Sequence, residues 1–414
     1  MGAYWIEGGV PLRGELAIHG AKNSVLPILA ATILTGGCCV LHNCPRISDV
    51  ETALQILEYL GCKTKREGST LCIDTYEAVP RPIPVSMTGR MRAAILFMGS
   101  LLARFGQAYL AYPGGCALGE RPVDLHLLGL RHMGAHCDCT EDCLCCKSSC
   151  LEGGTIALPF PSVGATENLL LAATACKGDT VLCNCACEPE IGDLVDFLRC
   201  CGAQICGKGS VLQIRGGCSL HGGEFSIMPD RMEAASYLAA GAATKGELTL
   251  THVCPHHLEA VTAVLRKGGC ELREGKDYIS LRCEQLRAVS PIRTAPYNGF
   301  PTDAQAPIMA ALASAKGISV IEERIFSNRF LHVPALRKMG ARIRASRHYA
   351  IIDGVSRLCG AEVEATDLRG GAALVIAALS AQGRSRIGTT EHMERGYEDF
   401  APNLMGLGAK LRME

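Results

Sequence analysis

The order of apolar and polar positions repeats six times along the chain. Each repeat opens with a helix rich in small apolar residues, continues with a short strand and a second helix, and ends in strands. The six opening helices are predicted over residues 23–34, 91–103, 166–176, 232–243, 305–315 and 371–381. Short strands follow them, for example over 180–183 and 248–251. Alternating elements of this kind indicate an α/β fold rather than a helical solenoid.

A glycine followed by a small residue ends the second helix of every repeat. These six landmark glycines are Gly61, Gly134, Gly202, Gly269, Gly340 and Gly408. Successive landmark glycines lie 67 to 73 residues apart, close to one sixth of the 414 residues. A regular period of this size predicts a repeat architecture that fills the whole chain.

Composition and charge narrow the class of protein. The 41 basic and 41 acidic residues give zero net charge, which argues against nucleic acid or an anionic membrane as a partner bound through bulk charge. The N-terminal residues lack the pattern of a signal peptide, and no apolar run is long enough for a membrane span. We therefore expect a cytosolic protein. Its 24 cysteines should be reduced rather than form a disulfide framework.

Basic residues lie in or near the first turn of four opening helices: Lys22, Arg92, Arg231 and Arg369. A cation there opposes the helix macrodipole and costs roughly 0.3–1 kcal/mol. A bound anion would reverse the sign of that effect. Long basic side chains that reach solvent from exposed turns are the alternative. Four cases at equivalent places favour a cleft that binds anions.

One glycine-rich loop carries a cysteine in an unusual setting. The sequence from Pro113 to Pro122 places Cys116 on the loop, five residues before Arg121. A thiol near a guanidinium group gains thiolate character. Such a thiol suits proton exchange or covalent bonding with an anionic substrate.

Eight segments in collinear order carry a family resemblance. They are residues 20–23, 113–116, 121–126, 161–166, 229–231, 300–303, 366–369 and 394–398. Together they resemble the enolpyruvyl transferases, and within that family the enzymes whose acceptor is UDP-N-acetylglucosamine. The match runs from Gly8 to Met413.

The resemblance implies a two-domain inside-out α/β barrel built from six βαβαββ repeats, three per domain. One domain would hold residues 21–228 with the Cys116 loop, and the other would combine residues 1–20 with 229–414. The active site would lie in the cleft between the domains, closed by the loop. Lids on such clefts exclude water.

The implied reaction moves the enolpyruvyl group of phosphoenolpyruvate to the 3′-hydroxyl of UDP-N-acetylglucosamine and releases phosphate. This is the first committed step of peptidoglycan synthesis, and it proceeds by addition and then elimination. Cys116 would be the general acid and could form a covalent adduct, and the epoxide fosfomycin alkylates this thiol in the family. The partners would be these two small molecules, with no cofactor, metal, nucleic acid or membrane insertion. The sequence leaves the oligomeric state open.

The resemblance also assigns roles to individual residues. The catalytic residues would be Cys116, Asp303 and Lys22. Phosphoenolpyruvate would contact Lys22, Asn23, Arg121, Arg369 and Arg395. UDP-N-acetylglucosamine would contact Asn23, Arg92, Arg121, Pro122, Val123, Asp124, Leu125, Ser162, Val163, Gly164, Asp303 and Ile325. From local sequence alone, Asp303 could instead cap the helix that follows it.

Two other functions stay open. The acceptor could be shikimate 3-phosphate, as in the other enolpyruvyl transferase that shares the fold. The chain could also be a non-catalytic sensor that binds a nucleotide sugar or a metal.

The stretch from Cys137 to Cys150 departs from the family pattern with six cysteines. A metal or redox site is one interpretation. Packing of small apolar side chains in a hairpin is the other.

Overall fold

The structure, a computed structural model, describes residues 2–114, 123–140 and 142–414. Its internal contacts divide the chain into two compact units. The central unit runs from Gly20 to Met228, and the terminal unit combines the residues up to His19 with Pro229–Glu414. The chain therefore passes from one unit to the other after His19 and returns after Met228.

The strands are short, and none in the described residues is longer than five residues. The first two strands, β1 (Ala3–Glu7) and β2 (Arg13–Ala17), belong to two different sheets of the terminal unit. The central unit contains β3 (Cys38–His42), β4 (Lys63–Glu67), β5 (Thr70–Asp74), β6 (Gln107–Ala111), β7 (His136–Cys139), β8 (Cys143–Lys147), β9 (Thr155–Ala157), β10 (Asp179–Cys183), β11 (Gln204–Lys208), β12 (Val211–Arg215) and β13 (Glu224–Ser226). The terminal unit adds β14 (Glu247–Thr251), β15 (Glu271–Glu274), β16 (Tyr278–Arg282), β17 (Ile292–Arg293), β18 (Ile318–Glu322), β19 (Arg342–Ala345), β20 (Tyr349–Asp353), β21 (Glu362–Glu364), β22 (Arg384–Gly388) and β23 (Lys410–Met413).

Helices alternate with these strands in both units. The central unit contains α1 (Lys22–Thr32), α2 (Ser48–Tyr59), α3 (Val85–Thr88), α4 (Leu96–Phe105), α5 (Asp124–His132), α6 (Val163–Ala173) and α7 (Pro189–Cys200). The terminal unit contains α8 (Arg231–Ala243), α9 (Glu259–Lys267), α10 (Thr302–Leu312), α11 (Val333–Lys338), α12 (Leu368–Ser380), α13 (Glu391–Glu394) and α14 (Phe400–Gly406). Short 3₁₀ turns occupy Ile33–Thr35, Arg92–Ile95 and Pro255–Leu258. The protein is thus a mixed α/β structure.

Within the described residues, each unit holds three sheets. The terminal unit has the strand orders β21-β22-β1-β23, β15-β16-β14-β2 and β17-β18-β20-β19. The central unit has β13-β3-β5-β4, β11-β12-β10-β9 and the three-stranded β6-β8-β7. Every four-stranded sheet has one parallel pair at an edge and antiparallel pairs elsewhere. Beside β6, Ile83 bridges Leu110 in parallel, so the three-stranded sheet follows the same plan.

The opening helices form the centre of each unit. In the terminal unit α8, α10 and α12 pack against one another, and in the central unit α4 packs against α1 and α6. Every residue of α8 is buried, and from Tyr237 onward the helix is apolar on all sides, as expected for a central helix. Small residues permit this close packing. A Cβ at Gly241 of α8, for example, would lie 2.8 Å from Leu248 Cδ1.

The six landmark glycines share one backbone conformation. Their φ angles lie between +84° and +101°, a backbone region that residues with a Cβ atom rarely adopt. Each glycine ends a helix and turns the chain into the next strand. The sequence period therefore coincides with a repeated left-handed turn.

Three opening helices begin three residues earlier than predicted. The predicted starts at residues 166, 305 and 371 are wrong, because α6, α10 and α12 begin at Val163, Thr302 and Leu368. Their first turns carry polar, charged and small residues, so the apolar pattern starts only in the second turn. The start predicted at residue 91 is also wrong, because the chain first forms a 3₁₀ turn over Arg92–Ile95 and α4 begins only at Leu96.

None of the helices in the described ranges combines the length and the apolar character that crossing a bilayer would demand.

Candidate active site

The terminal unit surrounds one carboxylate with two arginines. Asp303 is the second residue of α10, and its Oδ1 accepts a hydrogen bond from Arg329 Nη2 at 2.6 Å. Arg369 Nε and Nη2 each donate to Asp303 Oδ2 at 3.3 Å. The two guanidinium side chains are only 2% and 4% exposed, whereas the Asp303 side chain is 30% exposed. Two buried guanidinium groups therefore hold a carboxylate that is itself partly exposed to solvent.

The prediction that Asp303 could cap its helix is wrong. The N-cap position of α10 belongs to Pro301, and Asp303 lies within the first turn. A carboxylate there interacts favourably with the helix macrodipole. Its two oxygens contact arginine side chains, so its position is set by these ion pairs and not by capping.

Arg369 is fixed from several directions. Asp367 caps α12 by accepting hydrogen bonds from the Arg369 and Gly370 amides at 3.1 and 3.0 Å. The Arg369 guanidinium lies 5.3 Å from the centre of the Tyr397 ring, within range of a cation–π contact. Burial works against its charge, but Tyr397, Asp303 and Asp230 outweigh burial and raise the pKa of Arg369.

Tyr397 also orders the neighbouring segment. Its hydroxyl lies 2.7 Å from Ser236 Oγ on α8, so the ring connects two of the packed helices. Arg395 precedes it by two residues, directly after α13, which packs on α12. Arg395 thus lies on the segment whose Tyr397 contacts Arg369.

Three of the basic residues at helix starts are buried. Lys22, Arg231 and Arg369 are 8%, 8% and 3% exposed. The alternative that long side chains reach solvent from exposed turns is therefore wrong for these three. Arg231 begins α8, and its guanidinium lies 5.6 Å from the Tyr297 ring centre.

In the central unit, the start of α1 is held by two carboxylates, the buried Asp49 and the half-buried Asp193. Lys22 Nζ lies 2.8 Å from Asp49 Oδ2 in the first turn of α2. Asn23 follows Lys22, and the Ser24 hydroxyl donates to Asp193. Burial raises the pKa of Asp193 to about 6. Asn23 is therefore flanked by side chains whose positions are fixed.

Asn168 on α6 forms hydrogen bonds to three other segments. Its amide donates to Ile95 O at 3.1 Å and to His126 Nδ1 at 2.9 Å, and its Oδ1 accepts from the Gly99 amide at 2.6 Å. These bonds connect α6 with the Arg92–Ile95 turn, with α4 and with α5. They bring the predicted contact residues at 92, 123–125 and 162–164 into one region of the central unit.

Within this region, Arg92 Nη1 donates to the Pro113 carbonyl at 3.2 Å. Val123 occupies the N-cap position of α5, and Asp124 and Leu125 are its first two residues. The predicted contact residues thus lie at the starts of elements, where backbone amides are free of intrahelical partners.

The start of α6 lies directly over His126. Ser162 caps the helix by accepting from the Ala165 amide at 3.4 Å, and Val163 and Gly164 are its first residues. A Cβ at Gly164 would lie 3.2 Å from His126 Cε1. Burial, and then the charge of Arg92, lower the pKa of His126 to about 3, so the ring is neutral.

Three predicted site residues, Cys116, Arg121 and Pro122, lie outside the described residues. Ile325 is described, and it follows β18 in the terminal unit.

Sequence reasoning missed the polar residues that support the site. They are Asp49, His126, Asn168, Glu323 and Arg329. Each is a polar side chain with at most 6% exposure. The polar residues Thr166, Glu167 and Asn168, which directly precede an apolar helical run, are the signal that could have found one of them.

The cysteine-rich hairpin separates its thiols onto two faces. Cys137 on β7 is directly opposite Cys146 on β8, and both are buried. Cys146 Sγ lies 3.5 Å from Met98 Sδ of α4, whereas Cys143 and Cys145 face outward. Across residues 2–114, 123–140 and 142–414, no three His, Cys, Asp or Glu side chains form a group that could hold a metal ion. The geometry favours packing.

Comparison with known proteins identifies the class. A family model described as EPSP synthase (3-phosphoshikimate 1-carboxyvinyltransferase) matches residues 6–404. The chain belongs to this family of carboxyvinyltransferases.

Within the family, the similar curated relatives carry a more specific name. UDP-N-acetylglucosamine 1-carboxyvinyltransferase 2 of Caldanaerobacter subterraneus subsp. tengcongensis is 46% identical over 413 residues, 99% of both chains. UDP-N-acetylglucosamine 1-carboxyvinyltransferase of Desulfovibrio desulfuricans is 46% identical over 412 residues, 99% of this chain and 98% of that one. The family resemblance predicted from the sequence is confirmed.

Solved structures agree in fold. The enolpyruvyl transferase NikO from Streptomyces tendae superposes with a TM-score of 0.90 at 25% identity, covering 100% of this chain and 99% of that chain. EPSP synthase from Acinetobacter baumannii gives a TM-score of 0.76 at 18% identity, with both chains covered completely. The second likeness shows the fold alone.

Proposed function

We propose that this chain transfers the enolpyruvyl group of phosphoenolpyruvate to the 3′-hydroxyl of UDP-N-acetylglucosamine, releases phosphate, and so serves peptidoglycan synthesis. The observation that carries the proposal is the 46% identity over 413 residues to a UDP-N-acetylglucosamine 1-carboxyvinyltransferase. The charged groups of the site agree with it, because the reaction needs cations for a phosphate and a carboxylate and a base for a sugar hydroxyl.

The choice of acceptor rests on the full-length relatives. The family model takes its description from 3-phosphoshikimate, but relatives at 43–46% identity over nearly all of the chain are named for UDP-N-acetylglucosamine. The solved EPSP synthases, at 18% and 19% identity, speak only for the fold. We therefore place the nucleotide sugar before shikimate 3-phosphate.

The proposed architecture is a pair of inside-out α/β barrels, each made of three βαβαββ repeats. Their proposed bounds are residues 21–228 for one domain and 1–20 with 229–414 for the other. Support comes from the three sheets in each unit with a common strand plan, and from the six landmark glycines with one φ range.

Asp303 is proposed to accept the proton of the 3′-hydroxyl. Its carboxylate is 30% exposed while both arginine partners are buried, so one side of it faces outward and can meet a substrate. A carboxylate held by two guanidinium groups is fixed in orientation as well as in charge. That orientation supports its role in placing the hydroxyl for attack.

Phosphoenolpyruvate is proposed to bind Lys22, Asn23, Arg121, Arg369 and Arg395. Arginine offers paired donors to a carboxylate or a phosphate, and lysine adds a compact charge. Lys22 is also proposed as a catalytic residue. The buried ion pair of Lys22 with Asp49 supports a fixed ammonium position.

UDP-N-acetylglucosamine is proposed to contact two groups of residues. In the central unit these are Asn23, Arg92, Arg121, Pro122, Val123, Asp124, Leu125, Ser162, Val163 and Gly164, and in the terminal unit Asp303 and Ile325. The first-turn amides of α6 supply donors for the diphosphate, as helix N-termini do for anions. The contacts of Asn168 support the shared location of the central group.

Cys116 is proposed to deliver a proton to the methylene carbon of phosphoenolpyruvate while the 3′-oxygen bonds to its C2. The tetrahedral adduct then loses phosphate from C2 and gives a proton of the new methyl group back to the Cys116 thiolate, which restores the double bond. Asp303 takes the hydroxyl proton in the first step. Phosphate leaves with the electron pair of its C–O bond.

Phosphate release measured with each acceptor tests the proposal. We expect release with phosphoenolpyruvate and UDP-N-acetylglucosamine, and none with phosphoenolpyruvate and shikimate 3-phosphate. Activity confined to shikimate 3-phosphate would overturn the acceptor, and release with neither would overturn the transferase.

A further inference from the structure

We propose that Glu323 is a positioning residue for the acceptor sugar, an inference that rests on the proposed function. Glu323 directly follows β18 and is completely buried. Its side chain connects two segments that the function needs in a fixed arrangement. One carries Ile325, and the other is the start of α10 with Asp303.

The Glu323 carboxylate accepts four hydrogen bonds. Oε1 accepts from Thr294 Oγ1 at 2.9 Å, from the Ile325 amide at 2.9 Å and from the Phe326 amide at 3.1 Å. Oε2 accepts from Thr302 Oγ1 at 2.9 Å. Both oxygens are thus used, and they reach different segments.

The backbone of Glu323 is fixed as well. Its amide donates to the His348 carbonyl at 2.8 Å, and its carbonyl lies 3.2 Å from His348 Nδ1. His348 lies in the turn between β19 and β20. The carboxylate therefore reaches out from a rigid point of the sheet.

The bond to Thr302 continues to the proposed base. The Thr302 carbonyl accepts from Arg329 Nε and Nη2 at 3.3 and 3.2 Å. The same Arg329 Nη2 reaches Asp303 Oδ1 at 2.6 Å. Glu323 thereby fixes, through Thr302, the helix end that carries Asp303, and directly the main chain of Ile325.

A carboxylate is the side chain that fits four donors. It offers two oxygens that accept and no hydrogen that donates. Glutamine has the same shape but only one oxygen, with an NH₂ group in place of the other. That NH₂ would either face the Ile325 and Phe326 amides, donor against donor, or face the Thr302 hydroxyl, which would then accept and leave its own hydrogen without its present acceptor. An unpaired buried donor shifts until it finds an acceptor, because leaving it unpaired is costly. Small displacements of substrate-contacting groups have large effects on rate.

The test compares neighbouring glutamates. Glu323→Gln should raise the KM for UDP-N-acetylglucosamine by about tenfold or more, the effect of one unpaired buried hydrogen-bonding group, and leave the KM for phosphoenolpyruvate within about twofold. Glu322→Gln is the matched control. Glu322 forms surface ion pairs with Arg293 and Arg324, and its replacement should leave both KM values near those of the parent.

A second pair of variants keeps the inference testable if Glu323→Gln does not fold. Thr302→Val removes the hydroxyl that donates to Glu323 Oε2 and should raise the KM for UDP-N-acetylglucosamine. Thr302→Ser keeps a hydroxyl and should leave that KM near the value of the parent. Calorimetric binding of UDP-N-acetylglucosamine should weaken in parallel with the KM change.

The outcomes separate the two proposals. A selective loss for the nucleotide sugar in Glu323→Gln and Thr302→Val supports the inference. A lowered melting temperature with both KM values and sugar binding unchanged would overturn it, since Glu323 would then serve stability alone. A parent protein that neither binds nor converts UDP-N-acetylglucosamine would overturn the proposed function and this inference with it.

Discussion

Arg329 reaches Asp303 with one guanidinium nitrogen at 2.6 Å, and the same nitrogen also donates to the Thr302 carbonyl. The arginine thus ties the carboxylate to the backbone of its own helix. This contact, with that of Arg369, defines how the proposed base is presented.

Replacing the proposed base should remove most of the turnover. Asp303→Asn keeps the shape of the side chain but cannot take a proton, so kcat should fall roughly a hundredfold to ten-thousandfold. Phosphate release under saturating substrates measures the loss. Asp353→Asn is the control, because Asp353 lies on β20 and makes an exposed ion pair with Arg342 at 3.7 Å. Equal kcat values for the two variants would contradict the role of Asp303.

The sequence-based role of Cys116 makes a prediction of its own. Cys116→Ala should lose nearly all activity, whereas Cys116→Asp should keep activity because a carboxylic acid can still donate a proton. Fosfomycin should inactivate the parent and add its mass at Cys116. Cys139→Ala, which changes an exposed thiol on the β7–β8 hairpin, is the control and should leave both properties intact. Modification elsewhere with Cys116 free would count against the assignment.

Acid should destabilise the fold through two buried histidines. Burial lowers the pKa of His126 to about 3 and that of His332 to about 4, from an ordinary 6.5. Between those values the unfolded chain binds more protons than the folded protein, so the free energy of unfolding falls as pH falls. Each histidine should contribute roughly 2 kcal/mol of loss between pH 7 and pH 5.

Urea unfolding of the parent and of His126→Gln at the two pH values checks this prediction. The variant should show the smaller pH dependence, whatever its stability at pH 7. An identical pH dependence in the two proteins would mean that His126 is not the titrating group.

Two glycines near helix starts should respond oppositely to alanine. A Cβ at Gly164 would press on His126, which Asn168 holds in place, so Gly164→Ala should destabilise by about 1–3 kcal/mol. Gly192 of α7 has nothing within 4 Å of its would-be Cβ, so Gly192→Ala should stabilise by about 0.5–1 kcal/mol. Denaturant unfolding measures both. A stabilised Gly164→Ala would show that the His126 ring can move away.

The cysteine-rich hairpin should carry no metal. Its thiols are divided between the core and the outer face of the sheet, so too few converge to bind zinc or iron. Elemental analysis of protein purified without chelators should find less than one such ion per chain. Stoichiometric zinc that disappears in Cys143→Ser would overturn the packing interpretation.

The sequence predicted the repeat better than it predicted the edges of the helices. The landmark glycines could be found because one backbone conformation selects one residue type. The starts of α6, α10 and α12 could not, because their first turns carry small or charged residues such as Gly164, Asp303 and Arg369, which are proposed to contact substrate, instead of apolar core residues. The error of three residues therefore marks the proposed site.

Long-range partners were the other gap. The resemblance named Lys22, Asp303 and Arg369, but the side chains that hold them, Asp49 and Arg329, come from distant segments. No local sequence pattern predicts such a pair, since each member is a single charged residue and its partner is set by how whole helices pack.

The early placement of β1 and β2 has a consequence for biosynthesis. Residues up to Met228 suffice for the central unit, which can fold while the rest of the chain is still being made. The terminal unit must wait, because β1 lies between β22 and β23, and Trp5 Nε1 donates to Glu414 Oε2 at 2.7 Å. Its first strand, β1, remains without partners until β22 and β23 have been made, whereas β2 can pair earlier with β14. A fragment of residues 20–228 should therefore be expressible alone, whereas one that begins at Pro229 would lack a central strand of one sheet and an edge strand of another.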